Sequence, residues 1–504
     1  MDYPFWDIGI GYGVLMAAIA VPHVFVSHFA IGGGLYLVVA EKSARKAGDT
    51  RRLEYLESLT KFFVLISLVF GALTGVGIWF IIGLLNPAAT EVLIHHFVWA
   101  WAIEWTFFAV EICAAIIYFY GWKPMSARSH QIVGWIYFAA AWLSLVAING
   151  IICFMLTPGQ WLETGSFWHG FFNPTFWPSL VFRTGICLLL AGVFTTLVAS
   201  RMQPDDFKAS LVRYNARWSI LGLLVMIPSF YWYWNAIPAD VTADAFEMMP
   251  TAISSLHAGF WFLGVLTALV ILFGLIIPKR MHTAVAVVLM ALGLGFFGAF
   301  EWLRESIRKP YVIHGYMYGN GVEVAKRHVY EEDGYLSAIR FRTGDDGADL
   351  FRRACRSCHT IDGYKPLRPT FDGTDPRFIA GIVLGAHTLK GNMPPFHGTA
   401  RESVLTAEHI WERIDQRPIG EIYGLAGTDL GEKVFEVRCG RCHEFGGYND
   451  NRGSLVGLEE DEYDDILDNG SDYADEMPNF TGDQDERRAL IAYFQSLMEG
   501  GGQR

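Results

Sequence analysis

Charged side chains are nearly absent from the first 303 residues of this 504-residue chain, outside short connecting segments. So many long, uncharged apolar runs exclude an ordinary soluble helical domain for this part. The start of the chain, MDYPFWDIGIGYG, also lacks a basic region and a following cleavage site, so we expect no cleavable signal peptide. The first apolar run is therefore expected to act as its own membrane signal.

Eight apolar runs in this part are long enough to cross a bilayer as helices. They lie at residues 13–40, 62–83, 97–120, 132–156, 179–200, 217–235, 253–277 and 283–303. Lysines and arginines occur in the connections after the first, third, fifth and seventh runs and are lacking from the other connections. By the positive-inside rule, the N-terminus and residue 304 are both expected on the outer side. The sequence thus predicts an all-α, eight-helix transmembrane bundle over residues 1–303.

Four of the seven cysteines belong to two C-x-x-C-H motifs in the polar C-terminal part. The motifs are CRSCH, with Cys355, Cys358 and His359, and CGRCH, with Cys439, Cys442 and His443. Cysteines three apart share one face of a helical turn and can form thioethers to a haem, whose iron then lies over the next histidine. A zinc site, a dithiol pair and a disulfide are the alternatives, and the repetition of the motif weakens them. The single cysteines Cys113, Cys153 and Cys187 are expected to be small apolar core residues.

A Met-Pro pair follows each motif at domain scale: Met393 in GNMPPF and Met477 in DEMPNF. Each methionine is a candidate distal ligand of the iron, and His387 and His397 are alternatives to Met393. Both segments resemble small class I cytochrome c domains, at residues 345–425 and 426–504, after a linker at 304–344. We therefore expect two covalent haems c, attached on the outer side of the membrane.

The two expected cytochrome c domains differ in charge. Residues 345–425 hold 11 acidic and 10 basic side chains, whereas residues 426–504 hold 19 acidic and 7 basic ones. The run EEDEYDD at 459–465 concentrates the excess. A solvated surface is one interpretation, and electrostatic steering of a basic electron-transfer partner to the second domain is the other.

Ionisable residues inside the apolar runs are candidates for function, because a charge in hydrocarbon costs free energy. They are His23, His28, Glu104, Glu111, Arg183, His257 and Glu301. For His28 we expect core packing or a hydrogen bond. For Arg183 we expect a buried anion, either a haem propionate, Glu104 or Glu301, and snorkelling to the membrane surface is the alternative.

The membrane part resembles subunit I of cytochrome bd-type oxidases over roughly residues 13–315. The segments that carry the resemblance are PHVFVSHFAIGGGLYLVVAEKS, GALTGVGIWFIIGL, AWAIEWTFFAVEICAAIIYFYGW and EWLRESIRKPYVI. The resemblance implies that His23, nine residues before Gly32, ligates the high-spin haem at which oxygen is reduced. It also implies a proton relay through Glu104 and Glu111, which lie two turns apart on one helix face. Simple hydrogen bonding to neighbouring helices is the alternative for this pair.

The chain departs from this family at the other membrane haem ligands. Arg183 stands where the family has a histidine ligand of its low-spin haem, and the methionine ligand at the start of the seventh run is missing. His257 lies near that place and is a candidate ligand. The family's glutamate ligand maps to Gly298, and Glu301 is a candidate substitute one turn later. One or more membrane haems are expected, of b type or also of d type.

The connection at 235–250 is short where the family has a long quinol-binding loop, so the quinol site is expected to be missing. One functional hypothesis is a cytochrome c-linked reductase of oxygen or a similar oxidant; the other is an electron-transfer subunit without catalysis. A redox or gas sensor would need an output domain. Expected partners are an electron-transfer protein at the acidic domain and, by resemblance, a further membrane subunit. The expected location is a bacterial inner membrane, with the cytochrome c domains on its outer side.

Overall fold

The computed structural model describes residues 8–239, 241–242, 246, 249–389, 391–440, 442–447, 449–474 and 477–499. The chain divides into two compact units. The membrane unit comprises Met16–Gly83 and Ala88–Arg308, and the polar unit comprises Lys309–Arg504 with Leu84–Pro87 and the residues up to Leu15.

Long helices make up the membrane unit. In chain order they are α1 (Tyr12–Ala47), α2 (Thr50–Leu85), α3 (Pro87–Gly121), α4 (Ala127–Leu156), the short α5 (Trp161–Thr164) and α6 (Phe167–Phe171), α7 (Phe176–Ser200), α8 (Asp206–Ala236), α9 (Pro250–Leu269, continued by a π-helical turn at Val270–Ile276) and α10 (Thr283–Ser306). Most of them extend beyond the predicted apolar runs, because helical hydrogen bonding continues into the polar residues at the membrane surface.

Seven of these helices are long and apolar enough to cross a membrane: α1, α2, α3, α4, α7, α9 and α10, within the residues that the structure describes. The predicted run at 217–235 lies in α8, which is helical throughout but does not belong to this set. Its C-terminal end, FYWYWN, is aromatic and polar, which lowers its hydropathy. The all-α fold and the multi-pass character are confirmed, and α8 accounts for the difference between the seven helices and the predicted eight.

Two membrane helices depart from regular α geometry. Helix α2 contains a π-helical segment at Leu65–Gly71, an arrangement that often occurs near functional sites. Helix α3 has a non-helical backbone conformation at Phe97, the residue at which the apolar run was predicted to begin. Helix α3 begins at Pro87, ten residues before the predicted apolar run, and it is kinked at Phe97.

The core of the membrane unit forms around α7, most of which is enclosed by its neighbours. Glycines allow the backbones to come close: a Cβ atom on Gly32 of α1 would lie 1.8 Å from the Cys187 carbonyl oxygen of α7. Close backbone approach through small residues is the usual way in which membrane helices pack. Cys153 and Cys187 are buried as expected, whereas Cys113 is exposed on α3.

The polar unit contains short helices and one small antiparallel hairpin. Its hairpin consists of β1 (Tyr311–Ile313) and β2 (Met317–Tyr318). Its helices are α11 (Arg327–Asp333), α12 (Tyr335–Ala338), α13 (Asp346–Ala354), α14 (Arg368–Phe371), α15 (Pro376–Leu389), α16 (Ala400–Trp411), α17 (Ile419–Tyr423), α18 (Gly427–Val434), α19 (Arg452–Leu455), α20 (Glu460–Asp468), α21 (Gly470–Tyr473) and α22 (Gln484–Glu499). The unit also has a 3₁₀ turn at Val324–Lys326 and a π-helical turn at Phe435–Cys439, and a further 3₁₀ turn at Pro278–Arg280 lies in the membrane unit.

Two separate apolar clusters form the cores of the cytochrome c-like segments. The first centres on Ile379, Ala407 and Ile410, and the second on Val434 and Leu490. The segments are tied together by the buried Arg438, which pairs with Glu486 at 2.7 Å and donates to the Gly373 carbonyl oxygen at 2.8 Å. The folded segments thus stand in a defined arrangement within this unit.

Candidate functional site

The two C-x-x-C-H motifs have the same backbone geometry. The amide of His359 donates to the Cys355 carbonyl oxygen at 2.9 Å, and the amide of His443 donates to the Cys439 carbonyl oxygen at 3.0 Å. Each motif therefore forms a helical turn that brings its two cysteines to one side. This is the local structure that the spacing predicted for thioether attachment.

Each motif histidine is held through one ring nitrogen. His359 Nδ1 donates to the Lys365 carbonyl oxygen at 3.1 Å, and His443 Nδ1 donates to the Asn449 carbonyl oxygen at 3.0 Å. Lys365 and Asn449 both adopt positive φ angles, 45° and 49°, which turn these carbonyls toward the rings. In both motifs this bond leaves Nε2 as the nitrogen for iron, the usual arrangement around a metal-bound histidine.

Burial also prepares the first motif for haem. Desolvation lowers the pKa of His359 to about 4, so that the imidazole is neutral at pH 7, which is the form that binds iron. Desolvation likewise raises the pKa of Cys355 and of Cys439 to about 12. These thiols are therefore neutral until they form thioethers, and the residues of both motifs fit a covalent haem.

The candidate distal ligands lie in irregular loops. Met393 follows α15, and its carbonyl oxygen accepts a hydrogen bond from His387 Nδ1 at 2.7 Å. His397 is 5 % exposed; its Nδ1 contacts Glu331 Oε1 at 2.9 Å, and its buried Nε2 has no hydrogen-bond partner. Met477 lies in the corresponding loop before α22, near Gly470. Met393 and Met477 remain the predicted ligands, with His397 as the better-prepared histidine alternative in the first domain.

His23 on α1 is oriented by the neighbouring α2. Its Nδ1 lies 3.1 Å from the Gly71 carbonyl oxygen and 3.1 Å from Thr74 Oγ1. A methyl group on Gly75 would lie 3.0 Å from the His23 ring, so this approach depends on glycine. A carbonyl accepts only, so Nδ1 carries the proton and Nε2 keeps a lone pair for iron. His23 fits the ligand role that the sequence predicts.

Glu104 and Glu111 both face α4. Glu104 Oε1 accepts a hydrogen bond from Ser144 at 2.9 Å, and Glu111 Oε1 accepts one from Tyr137 at 3.0 Å. The two carboxyl groups are thus held on one face of α3, as their spacing predicted. Sequence reasoning missed Ser144 and Tyr137, although their own spacing of seven residues matches that of the glutamates.

Arg183 is only 2 % exposed and contacts a carboxylate. Its Nη2 lies 3.3 Å from Glu301 Oε1, and Glu301 Oε2 accepts hydrogen bonds from Arg304 at 2.7 and 2.9 Å. The prediction of a buried anion for Arg183 is confirmed for Glu301. The carboxylate lies between two guanidinium groups, so the role of Glu301 as a substitute haem ligand would require these contacts to break.

The two histidines that remain among the predicted residues of the membrane unit differ from each other. His28 is buried, donates from Nδ1 to the Val24 carbonyl oxygen at 2.7 Å and packs on Phe297, which confirms the predicted packing and hydrogen bond. His257 lies on an exposed face of α9. Among the described residues its side chain is not enclosed by the bundle, and the ligation of a membrane haem by His257 stays a prediction.

Comparisons with known proteins agree with this architecture. Residues 14–233 match the family model of cytochrome bd terminal oxidase subunit I, and residues 342–412 and 426–494 match that of cytochrome c oxidase, cbb3-type, subunit III. Residues 14–233 therefore form a cytochrome bd subunit I-type domain. Two cytochrome c domains follow it.

The fold is also similar to the bd oxidase structure from Geobacillus thermodenitrificans, with a TM-score of 0.52 and 14% sequence identity. The similarity covers 61% of this chain and 89% of that chain. A comparison with curated protein sequences gave no match. The domain combination makes the chain a haem-binding, multi-pass membrane protein of respiratory electron transfer.

Proposed function

We propose that the chain is a cytochrome c-linked, bd-like terminal reductase of oxygen or a similar small oxidant. The observation that carries this proposal is the geometry of His23. Its Nδ1 is hydrogen-bonded to α2, and its Nε2 is available to iron. The same unit contains the hydrogen-bonded carboxyl groups of Glu104 and Glu111. An electron-transfer protein without catalysis has no need for buried carboxyl groups that can deliver protons.

In this proposal a membrane haem, of b or d type, binds the oxidant and supplies the electrons. The protein's part is to hold His23 in one tautomer and to bring protons to the site. Oxygen reduction consumes protons, and Glu104 and Glu111 are the groups of α3 that can bind and release them. Ser144 and Tyr137 position these carboxyl groups.

His359 and His443 would hold two covalent haems c, which would supply electrons to the membrane haem. The acidic second cytochrome c domain is the docking place for a basic electron-transfer protein, either soluble or bound in a complex. The connection at 235–250, part of which lies outside the described residues, is too short for the quinol loop of the family. A cytochrome therefore replaces quinol as the electron donor.

A second function is favoured by one observation, the ion pair of Arg183 with Glu301. An arginine and its partner take the place of a haem ligand there, so the route between the c haems and His23 differs from that of the family. If the loss of this haem ligand interrupts electron transfer to His23, the chain is an electron-transfer subunit that joins the membrane to outer cytochromes.

The proposed setting is a bacterial inner membrane, with the cytochrome c domains on the outer side and a further membrane subunit. Loop charges support the orientation. In the apolar windows of α2, α3 and α9 only 17%, 17% and 22% of the residues are buried, which leaves faces for lipid or for another subunit.

Oxygen uptake by the purified protein with reduced cytochrome c tests the proposal. We expect uptake in the wild type and loss of both uptake and membrane haem in His23→Ala, scored by a pyridine haemochrome count. His95→Ala is the matched control, because this histidine of α3 is exposed, contacts the Glu91 carbonyl oxygen of its own helix at 3.0 Å and should leave the haem content unchanged. No uptake, together with spectra that contain only six-coordinate haem, would refute the reductase and support the second function.

A further inference from the structure

Residues 8–13 lie against the first attachment motif, within the polar unit. Arg356, between the two cysteines of CRSCH, donates from Nη2 to the Ile8 carbonyl oxygen at 2.7 Å. The amide of Tyr364, five residues after the motif histidine, donates to the Ile10 carbonyl oxygen at 3.0 Å. The backbone of this N-terminal segment therefore accepts hydrogen bonds both from the motif and from the loop that follows it.

Glycines on both sides bring the two backbones together. A Cβ atom on Gly363 would collide with the Gly9 carbonyl oxygen, and one on Gly11 would lie 2.6 Å from the Tyr364 Cβ. Gly11 also has a φ angle of +97°, which other residues rarely adopt. At these points the segment and the loop are in direct contact, and no other molecule fits between them.

Burial of polar side chains accompanies this contact. Arg356 is 7 % exposed and Thr360 is 1 % exposed, although both are residue types that usually lie at the surface. Thr360 lies beside the segment, because a Cβ atom on Gly11 would be 3.2 Å from its methyl group. We call Arg356 and residues 360–365 the attachment edge of the first domain. Residues 8–13 close it.

The second attachment motif has the same backbone geometry but an open edge. Aligned on their histidines, the two segments read CRSCHTIDGYK and CGRCHEFGGYN. Glu444 stands where the first segment has Thr360, and Gly447 stands where it has Gly363. Both Glu444 and Gly447 are exposed, and the three atoms nearest to a Cβ on Gly447 all belong to Glu444 of the same loop. We call residues 442–447 the attachment edge of the second domain.

We propose that residues 8–13 close the first domain to outside electron donors, and that a basic electron-transfer protein docks at the open attachment edge of the second domain. Thioethers would join each haem to its motif, so a protein that reaches the attachment edge also comes close to the haem. The second domain holds 19 acidic and 7 basic side chains, and Glu444 and Asp450 are exposed carboxylates at or beside its edge. These charges complement a basic partner.

This inference rests on the proposed function for the direction of the electrons, and it adds the place at which they enter. One electron leaves a ferrous donor protein, which becomes ferric, and enters the chain at the second motif. It reaches the first motif only by way of the second. No bond forms or breaks in this step, so access to the two attachment edges decides the order.

The test removes the entry point at the second domain, so that only direct access to the first is measured. In purified full-length protein with Cys439→Ser and Cys442→Ser, stopped flow follows reduction of the remaining covalent haem by a ferrous basic cytochrome. We expect this reduction to be at least about tenfold slower than that of the c haems in the wild type, because the donor does not reach the closed edge. Adding Gly363→Ala or Gly11→Ala should restore about tenfold or more, since the methyl group displaces the segment.

Gly9→Ala and Gly381→Ala are the matched controls, one on the segment and one in the first domain. A Cβ atom at either position meets no atom within 4 Å, so neither variant should restore the reduction. Amide hydrogen exchange of the peptide that contains Tyr364 reports release of the segment independently of electron transfer. Protection should be lost in Gly363→Ala and in Gly11→Ala, and it should persist in both controls.

Fast direct reduction with the segment in place overturns the inference, as does slow reduction after exchange shows that the segment is displaced. Persistent protection in the double variant Gly11→Ala with Gly363→Ala overturns it too. In the otherwise unaltered chain, carbodiimide should cross-link donor lysines to Glu444 or Asp450, whereas a cross-link to the exposed Asp362 would place the donor on the first domain. A wild type that takes electrons at the second domain but consumes no oxygen refutes the reductase and leaves the entry site intact.

Discussion

The two cytochrome c domains hold their attachment motifs in the same way but surround them differently. His359 and His443 both donate from Nδ1 to a carbonyl oxygen six residues later. The first domain is nearly balanced in charge, and Glu331 contacts its distal loop through the buried His397. The second domain is strongly acidic at α20. The motif thus determines how the histidine is held, whereas the charge of the surroundings differs between the domains, and the proposed docking of a basic donor to the second domain depends on that difference.

The largest expected effect is the loss of a covalent haem, and it should be the same for both motifs. Replacing Cys355 and Cys358 by serine should remove one covalent haem from each chain, and replacing Cys439 and Cys442 should remove the other. The reason is that a serine hydroxyl cannot form the thioether. A pyridine haemochrome count and the mass of the intact chain measure the loss. An unchanged c-haem count in either double variant would contradict the assignment of that motif.

Replacement of the distal methionine should affect the two domains differently. Met477→Ala is expected to leave the second haem five-coordinate, whereas Met393→Ala should stay six-coordinate, because His397 has a free Nε2 four residues later in the same loop. Exchange of a thioether ligand for an imidazole should lower the reduction potential of the first haem by about 100 mV. This is more than a tenfold change in the electron-transfer equilibrium constant. Redox titration and low-temperature spectra measure both effects.

The double variant Met393→Ala with His397→Ala provides the control. It should make the first haem five-coordinate like that of Met477→Ala. If Met393→Ala alone already becomes five-coordinate, His397 does not reach the iron. The two distal loops would then be equivalent, and the buried Nε2 of His397 would need a different partner.

Buried and exposed ion pairs give a second contrast between the domains. In the second domain Glu486 is 2 % exposed and accepts from Arg438 and from the Ile419 amide, whereas Asp362 of the first domain is 65% exposed in its pair with Arg368. Glu486→Gln should cost about 3–5 kcal/mol, because it leaves the Arg438 charge buried without a counter-charge. Asp362→Asn should cost about 1 kcal/mol or less.

Thermal unfolding of the c domains, followed by haem absorbance, measures this difference. Equal losses of stability in the two variants would show that burial does not distinguish the pairs. A loss of haem in Glu486→Gln before unfolding would instead show that the pair acts on the haem site, since Arg438 precedes Cys439 directly.

Local spacing predicted the helical turn of each C-x-x-C-H motif, because all the residues of a motif lie within one turn. The same holds for Glu104 and Glu111, which share a face of one helix. Their partners on α4 could not be predicted from one sequence, because pairing depends on the antiparallel register of two helices. The spacing of seven residues between Tyr137 and Ser144 matches that of the two glutamates and is the signal that the sequence offered.

The partner of Arg183 also depended on how two helices pack, which one sequence does not give. The cost of a buried charge predicted an anion for it, and Glu301 was one of three candidates. Only the packing of α7 against α10 could select among them. The exposure of His257 could not be predicted either, because an apolar run does not indicate which of its faces turns away from the bundle, and its role as a haem ligand stays a prediction.

The smallest expected effect concerns the charge difference between the domains. Glu460→Gln with Asp461→Asn removes two exposed carboxylates from α20, and Glu408→Gln with Glu421→Gln removes two from the first domain. At low salt the first pair should slow association of a basic cytochrome by about two- to fivefold, because complementary charge raises the association rate. The second pair should change it little. At about 1 M salt, where charges are screened within about 3 Å, the difference should vanish. Stopped-flow electron transfer at several ionic strengths measures these rates, and equal effects of the two pairs would place the donor between the domains instead of on the second.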